Sequence, residues 1–207
     1  MTKSAIEKAP ITNGTLWPNL RDYWHVVAWS EDVRENDIFP VQLLAEDIVV
    51  CRIGEELAAF SDLCVHRGTP ISLGHIENNR LICCYHGWEY DHGGNCTRIP
   101  SISDEHPIPK RACLTKYQVA ERYGMVWVCM SEKPRTPIPD CPLAETSEYN
   151  PIFKNKWVWK TSAGRATENF FDQAHFAFVH RGILGSPEQP RVSETQVERN
   201  GEILHFQ

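Results

Sequence analysis

A chain of 207 residues has room for one large domain or two small ones. Its 42% apolar and 23% charged residues are ordinary for a globular protein, and a net charge of −6 argues against a nucleic-acid binder, which carries a basic surface. No run reaches the roughly 18 apolar residues of a membrane-spanning helix, and no membrane span is expected.

The opening, MTKSAIEKAPITNGTLWPNL, lacks the apolar centre of a signal peptide. Eight cysteines in so long a chain fit free thiols in a reducing cytoplasm better than a secreted disulfide scaffold. Residues 1–16 are polar and mixed, and read as a loose arm. Leu20 to Ser30, aromatic and β-branched, reads as a first strand, with His25 a strand-face side chain rather than a ligand. Residues 38–44 and 48–53 read as two further strands around an Ala45-Glu46-Asp47 turn. Pro40 in the first of them marks an edge or a bulge. Residues 57–61 form a short strand that leads into Cys64.

Gly68, Gly74, Gly87, Gly93 and Gly94 punctuate the next stretch, which predicts turns and short strands. Residues 117–130 read as a hairpin with Gly124 near its turn. The chain to about residue 130 is thus expected to be a small all-β domain. SEKPRTPIPDCP, residues 131–142, carries four prolines, which neither continue a helix nor donate to a sheet, and reads as a linker. Lys154 to Thr161 reads as a strand, residues 165–180 as largely helical, and EILHFQ at the end as a strand.

Two stretches carry chemistry. Cys64-x-His66 is followed, after sixteen residues, by Cys83-x-x-His86. Two thiolates and two imidazoles on two turns form a four-ligand metal site, which zinc can also use. In a common zinc finger cysteine pairs with cysteine and histidine with histidine; here each turn supplies one sulfur and one nitrogen. That pairing suits a two-iron cluster in which two cysteines hold one iron and two histidines the other. Buried thiols with satisfied histidines are the structural alternative. Cys84-x-His86 repeats the first spacing, so Cys84 competes with Cys83. Cys51, Cys96, Cys113, Cys129 and Cys141 are spread without pair spacing, and several sit in apolar runs as core thiols do.

The second stretch is RATENFFDQAHFAFVH, residues 165–180. Glu168, Asp172 and His175 fall at i, i+4 and i+7, on one face of a helix. His180 reaches that face only if the helix ends or widens, as at a π-bulge. Asp-x-x-His-x-x-x-x-His approaches a two-histidine, one-carboxylate iron site, which leaves positions open for dioxygen. A solvated helix face is the alternative.

CxHRGTP and CxYHGW around the first four donors resemble the Rieske [2Fe–2S] proteins, and the Rieske non-haem iron oxygenases in particular. Glu168-Asn169 leading into Asp172, His175 and His180 resembles the mononuclear-iron motif of the same family, in the same order, after a proline-rich linker. The resemblance covers roughly residues 17–205. It implies an α+β protein: an N-terminal all-β Rieske domain over 17–131, a Pro-rich linker over 132–150, and over 151–207 the start of an α+β catalytic domain, helix on antiparallel sheet. It implies cluster ligands Cys64, His66, Cys83 and His86, with Cys84 where the family often has proline, and ferrous-iron ligands His175 and His180. Asp172 then becomes a bridge between His175 and the counterpart of His86 on another subunit of a homotrimer, a group that orients both imidazoles. Asn169 falls where the family lines the iron pocket; its structural alternative is a helix N-cap or a surface amide.

The implied partners are a reductase, with or without a ferredoxin, and dioxygen with a small aromatic or cyclic substrate that is hydroxylated or demethylated. The Asn169-x-x-Asp172 spacing points to a demethylase or monooxygenase-like member. The family's third iron ligand is a downstream carboxylate, expected beyond Gln207, and none of Glu188, Glu194, Glu198 or Glu202 sits in a marking motif. The expectation is therefore a truncated oxygenase component whose 207 residues carry electrons without turning over substrate, unless Asp172 or Glu168 completes the iron site. A Rieske electron carrier and a zinc-stabilised β module are the competing functions.

Overall fold

The structure, a computed structural model, describes residues 18–103, 105–146, 148, 158–201 and 203–206. The chain forms two compact units, Met1–Pro151 and Ile152–Gln207. The expected arm over residues 1–16 lies outside the described residues.

Among the described residues, ten strands build the first unit: β1 (His25–Trp29), β2 (Ile38–Leu43), β3 (Glu46–Ile53), β4 (Glu56–Ser61), β5 (His75–Glu77), β6 (Arg80–Ile82), β7 (Glu89–Tyr90), β8 (Cys96–Arg98), β9 (Lys116–Arg122) and β10 (Met125–Cys129). They form an antiparallel six-stranded sheet, order β1-β10-β9-β4-β3-β2, and a four-stranded sheet, β5-β6-β7-β8. β3 shows why both can pack. Its Val49, Cys51 and Ile53 point into one core and its Ile48 and Val50 into another, as a two-residue period demands.

The first core also holds Phe60, Ile71, Leu81, Tyr90, Cys64 and Cys83, so the small sheet and both cysteine turns are seated on that face of the large one. Each fully buried aliphatic or aromatic side chain there contributes on the order of 1.5–3 kcal/mol. Burial pushes the Cys51 thiol up to about 12, an inert core group. Cys96 and Cys129 are likewise buried, but Cys113 and Cys141 are exposed and are not core thiols.

Pro40 lies in β2, an edge strand, where its missing donor costs no ladder bond. The strand expected from Leu20 begins only at His25, because Pro18–Asp22 is a 3-10 turn; proline pre-sets the backbone for such a turn. The His25 ring bonds the Leu20 carbonyl, 2.8 Å away. The β2–β3 turn is Leu44-Ala45, both with positive φ, and Glu46 and Asp47 already pair with Leu43 and Gln42. The Tyr123-Gly124 turn between β9 and β10 falls where expected, with φ of 60° and 69°, the twist-matched hairpin geometry.

The proline-rich segment is docked onto that hairpin. Arg122 reaches Asp140 at 2.9 Å and Glu145 at 2.8 Å, and the Cys141 amide donates to the Tyr123 hydroxyl at 2.8 Å. A short 3-10 turn, Pro142–Glu145, follows.

In the second unit, part of the strand expected over 154–161 lies outside the described residues. Val158–Thr161 is not strand, and Val158 is 94% exposed. Helix α1 (Ala163–Phe171) is capped by Ser162, whose hydroxyl accepts from the Arg165 amide at 3.3 Å. It ends at Asp172, φ −84° and ψ 108°. The Asp172 carboxylate accepts from the Ala174 amide at 2.8 Å and opens a 3-10 turn, Ala174–Ala177. Glu168, Asp172 and His175 therefore do not share one continuous helix face; the helix ends before His175, with no π-bulge. Strands β11 (Val197–Asn200) and β12 (Ile203–Phe206) form an antiparallel hairpin, and the rings of Phe171 and Phe206 meet at 5.2 Å.

Candidate metal centres

The two cysteine turns are copies of each other. In the first, the Cys64 amide donates to the Thr69 carbonyl at 2.8 Å and the Gly68 amide to the Cys64 carbonyl at 2.8 Å. In the second, the Cys83 amide donates to Trp88 at 3.0 Å and the Gly87 amide to Cys83 at 3.0 Å. Each turn closes through a glycine with positive φ, 70° at Gly68 and 66° at Gly87. Cys64 and Cys83 are thus the equivalent residues, both buried, whereas Cys84 is exposed. The Cys83 thiol lies within hydrogen-bonding reach of Cys64; burial and that neighbour push it up, while the Tyr85 and His86 amides pull it down.

The imidazoles sit at the outer end. The His66 and His86 rings are 4.5 Å apart, His66 stacks on Trp88 at 4.6 Å, and exposed Tyr85 lies 4.0 Å from His86. His66 Nδ1 is buried without a hydrogen-bond partner, an orphan that a metal would satisfy. Desolvation, then His86 and Arg67, lower the His66 pKa, which favours the neutral, ligating imidazole. Paired thiols inside and paired imidazoles outside fit two irons. One tetrahedral zinc needs all four donors to converge on a single point.

Tyr90 was not among the residues singled out from the sequence. It is fully buried, and its hydroxyl lies 3.2 Å from Cys64 Sγ. Burial raises its pKa, so it is a protonated donor to the sulfur. The only signal in the sequence is its two-residue offset from Trp88, which faces the same core. Hydrogen bonds to cluster sulfurs stabilise the reduced, more negative state. Tyr90→Phe is expected to lower the reduction potential by about 30–60 mV, a roughly three- to tenfold change in the reduced-to-oxidised ratio for one electron. A spectroelectrochemical titration checks this, and an unchanged midpoint refutes it.

In the second unit the structure brings Asp172, His175 and His180 together. His175 Nδ1 is 3.3 Å from Asp172 Oδ2, adjacent to it but without a hydrogen bond. The His175 and His180 rings are 5.2 Å apart. His180 anchors the next loop, its carbonyl accepting from the Ile183 and Leu184 amides, both at 3.0 Å. Asn169 is exposed on α1 and lines a shallow groove with Glu168 and Asp172. It is not the N-cap, which is Ser162. Glu188 is engaged by Ser186 and lies 3.9 Å from Arg181, Glu194 and Glu198 are exposed, and Glu202 lies outside the described residues.

A buried dithiol end beneath an outer pair of imidazoles defines the first unit as a Rieske iron–sulfur domain, and the Rieske [2Fe-2S] domain family matches residues 23–118. The vanillate O-demethylase oxygenase C-terminal domain family matches residues 159–207. The methylxanthine N1-demethylase NdmA of Pseudomonas putida is 36% identical over 191 residues, covering 89% of this chain and 54% of that protein. The solved structure of Pseudomonas putida CBB5 NdmA aligns with a TM-score of 0.82 at 33% identity, over 90% of this chain and 58% of that one. Dicamba monooxygenase bound to dicamba aligns with a TM-score of 0.78 at 25% identity, over 90% and 56%. The chain belongs to the Rieske non-haem iron oxygenases, whose cofactors are a [2Fe–2S] cluster and a mononuclear non-haem iron. It spans about half the length of such curated relatives. No helix among the described residues is long and apolar enough to cross a membrane.

Proposed function

We propose that this chain is the oxygenase component of a multicomponent Rieske oxygenase that demethylates or hydroxylates a small aromatic or cyclic substrate. The observation that carries the reading is the pairing, in one chain, of the two matched cysteine turns with the Asp172–His175–His180 group. Cys64 and Cys83 hold one iron of the cluster and His66 and His86 the other; His175 and His180 hold the mononuclear iron. When bound, the cluster carries single electrons and the mononuclear iron activates dioxygen.

The chain's own residues prepare these sites. With Nδ1 beside Asp172, His175 keeps Nε2 for the metal. Asp172 orients that ring and, across a subunit contact in a homotrimer, the ring of His86. Trp88 shields one face of His66. Asn169 lines the approach to the iron. A reductase oxidising NAD(P)H supplies the electrons, directly or through a ferredoxin. The demethylase character of the relatives favours an O-methyl or N-methyl aromatic substrate. Free thiols beside an iron–sulfur centre suit a reducing cytoplasm.

Iron and acid-labile sulfide with visible absorption are expected in the purified protein; a colourless zinc protein defeats the reading. For the whole protein with reductase and NADH, formaldehyde release from a panel of methylated aromatics is expected. Bleaching of the cluster without any oxidised product would leave an electron carrier.

Histidine ligation also predicts a pH-dependent potential. The oxidised cluster favours loss of a ring proton from His66 or His86, so the potential is flat at low pH. It falls by up to about 59 mV per pH unit once the oxidised form deprotonates. A potential that stays flat into the alkaline range contradicts histidine ligation.

A further inference from the structure

Asp62 is the single buried charged side chain among the described residues, 8% exposed. It stands two residues before Cys64, at the base of the loop that carries Cys64 and His66. Its Oδ1 accepts from the Ser72 amide at 2.7 Å and its Oδ2 from the Ser72 hydroxyl at 2.6 Å. Its own amide donates to the Asp47 carbonyl at 3.0 Å, which ties the loop's entry to β3. Both donors to the carboxylate are neutral, and among the described residues no Lys, Arg or His forms an ion pair with Asp62.

Both oxygens of the carboxylate accept short, charge-assisted bonds, which are stronger than neutral ones. Here those bonds join the two ends of a loop of about ten residues, so they fix where the first cysteine and histidine are presented. The charge itself is uncompensated and poorly screened. An electron added to a nearby cluster is repelled by it, and net local charge is one of the determinants of cluster potential.

We propose that Asp62 is a positioning residue of the iron–sulfur centre: it clamps the first ligand turn through Ser72, and its buried charge holds the reduction potential down. The inference rests on Cys64 and His66 being cluster ligands. It sets Asp62 against Tyr90, whose hydroxyl beside the Cys64 sulfur acts on the potential in the opposite direction.

Two variants separate charge from clamp. Asp62→Asn keeps the shape and removes the charge; the ratio of reduced to oxidised cluster at a fixed ambient potential should rise about three- to tenfold. A loaded Asp62→Asn protein whose midpoint is unchanged or lower overturns the electrostatic role. Ser72→Ala keeps the charge and removes one bond; its cluster should be lost to a ferrous chelator several-fold faster at a nearly unchanged midpoint. Loss at the parent rate overturns the clamp. If Asp62→Asn does not retain a cluster, faster loss in Ser72→Ala supports the clamp and parent-like loss rejects the proposal. Cys64→Ser is the control: a normal cluster in that variant defeats the ligand assignment itself, whereas an unshifted Asp62→Asn beside a cluster-free Cys64→Ser defeats only this inference.

Discussion

Gly74→Ala is expected to yield a chain that retains its six-stranded sheet but no iron–sulfur cluster. Gly74 has φ −81°, a backbone that any residue adopts, so the requirement is for space. A Cβ at this position would collide with the Ile82 carbonyl oxygen and lie 3.0 Å from that of Ile71. Neither atom is the yielding end of a side chain. The next residue, His75, pairs with Ile82 across β5 and β6, and Cys83 follows Ile82 directly. Relief therefore requires β5 to part from β6 or the second ligand turn to move. Overpacking of this kind costs about 3 kcal/mol or more. Gly68→Ala is the contrast. Gly68 has φ +70° with nothing within 4 Å of a Cβ, so only the backbone conformation is charged, about 1–2 kcal/mol, and the cluster should survive. Iron content, far-ultraviolet circular dichroism and thermal unfolding of the two variants decide the matter. A fully loaded Gly74→Ala protein of parental stability would show that β5 and β6 separate freely.

The candidate donors of both centres can be picked out from the sequence because such chemistry is encoded in short-range spacing. Cys64 and His66, or Cys83 and His86, are placed by a single turn each, and a single turn is what a local pattern encodes. The same holds for Pro40 at an edge and for Gly124 at a hairpin tip. The supports of the cluster were not legible, because they join residues far apart in sequence. Tyr90 meets Cys64 across 26 positions, and Ser72 meets Asp62 across ten. Neither side chain carries a marking motif; strand direction brings the first pair together and loop closure the second. The Leu44-Ala45 turn was hidden for another reason. Its positive φ values fall on residues that seldom adopt them, so no glycine or asparagine advertised the turn. At Asp172 the helical period continued past the true end of α1. The carboxylate there bonds the Ala174 amide, and that local competition with the helix ladder outweighs the apolar pattern. The break turns His175 and His180 toward each other in a short turn and loop instead of spacing them along a rod.

Loss of the cluster is expected in Cys64→Ser and in Cys83→Ser, and Cys84→Ser should retain it nearly whole. Spacing alone leaves Cys83 and Cys84 as rivals, since Cys84 and His86 repeat the interval of Cys64 and His66. Turn geometry separates them. The amide of Cys64 donates five residues ahead to Thr69 and its carbonyl accepts four residues ahead from Gly68; Cys83 makes the same two bonds with Trp88 and Gly87. Cys84 makes neither. Cys83 is buried in the core that holds Cys64; burial raises its pKa on balance, and the Tyr85 and His86 amides offset part of that rise. Cys84 is exposed, outside the core that holds Cys64 and Cys83. Serine in place of a ligating cysteine removes the soft sulfur donor that holds an iron–sulfur cluster, so the expected iron and acid-labile sulfide contents of Cys64→Ser and Cys83→Ser fall to background. Counting both elements in the three purified variants is the measurement. Cluster loss confined to Cys84→Ser would reassign the ligand and require the second turn to rotate by one residue, breaking its correspondence with the first.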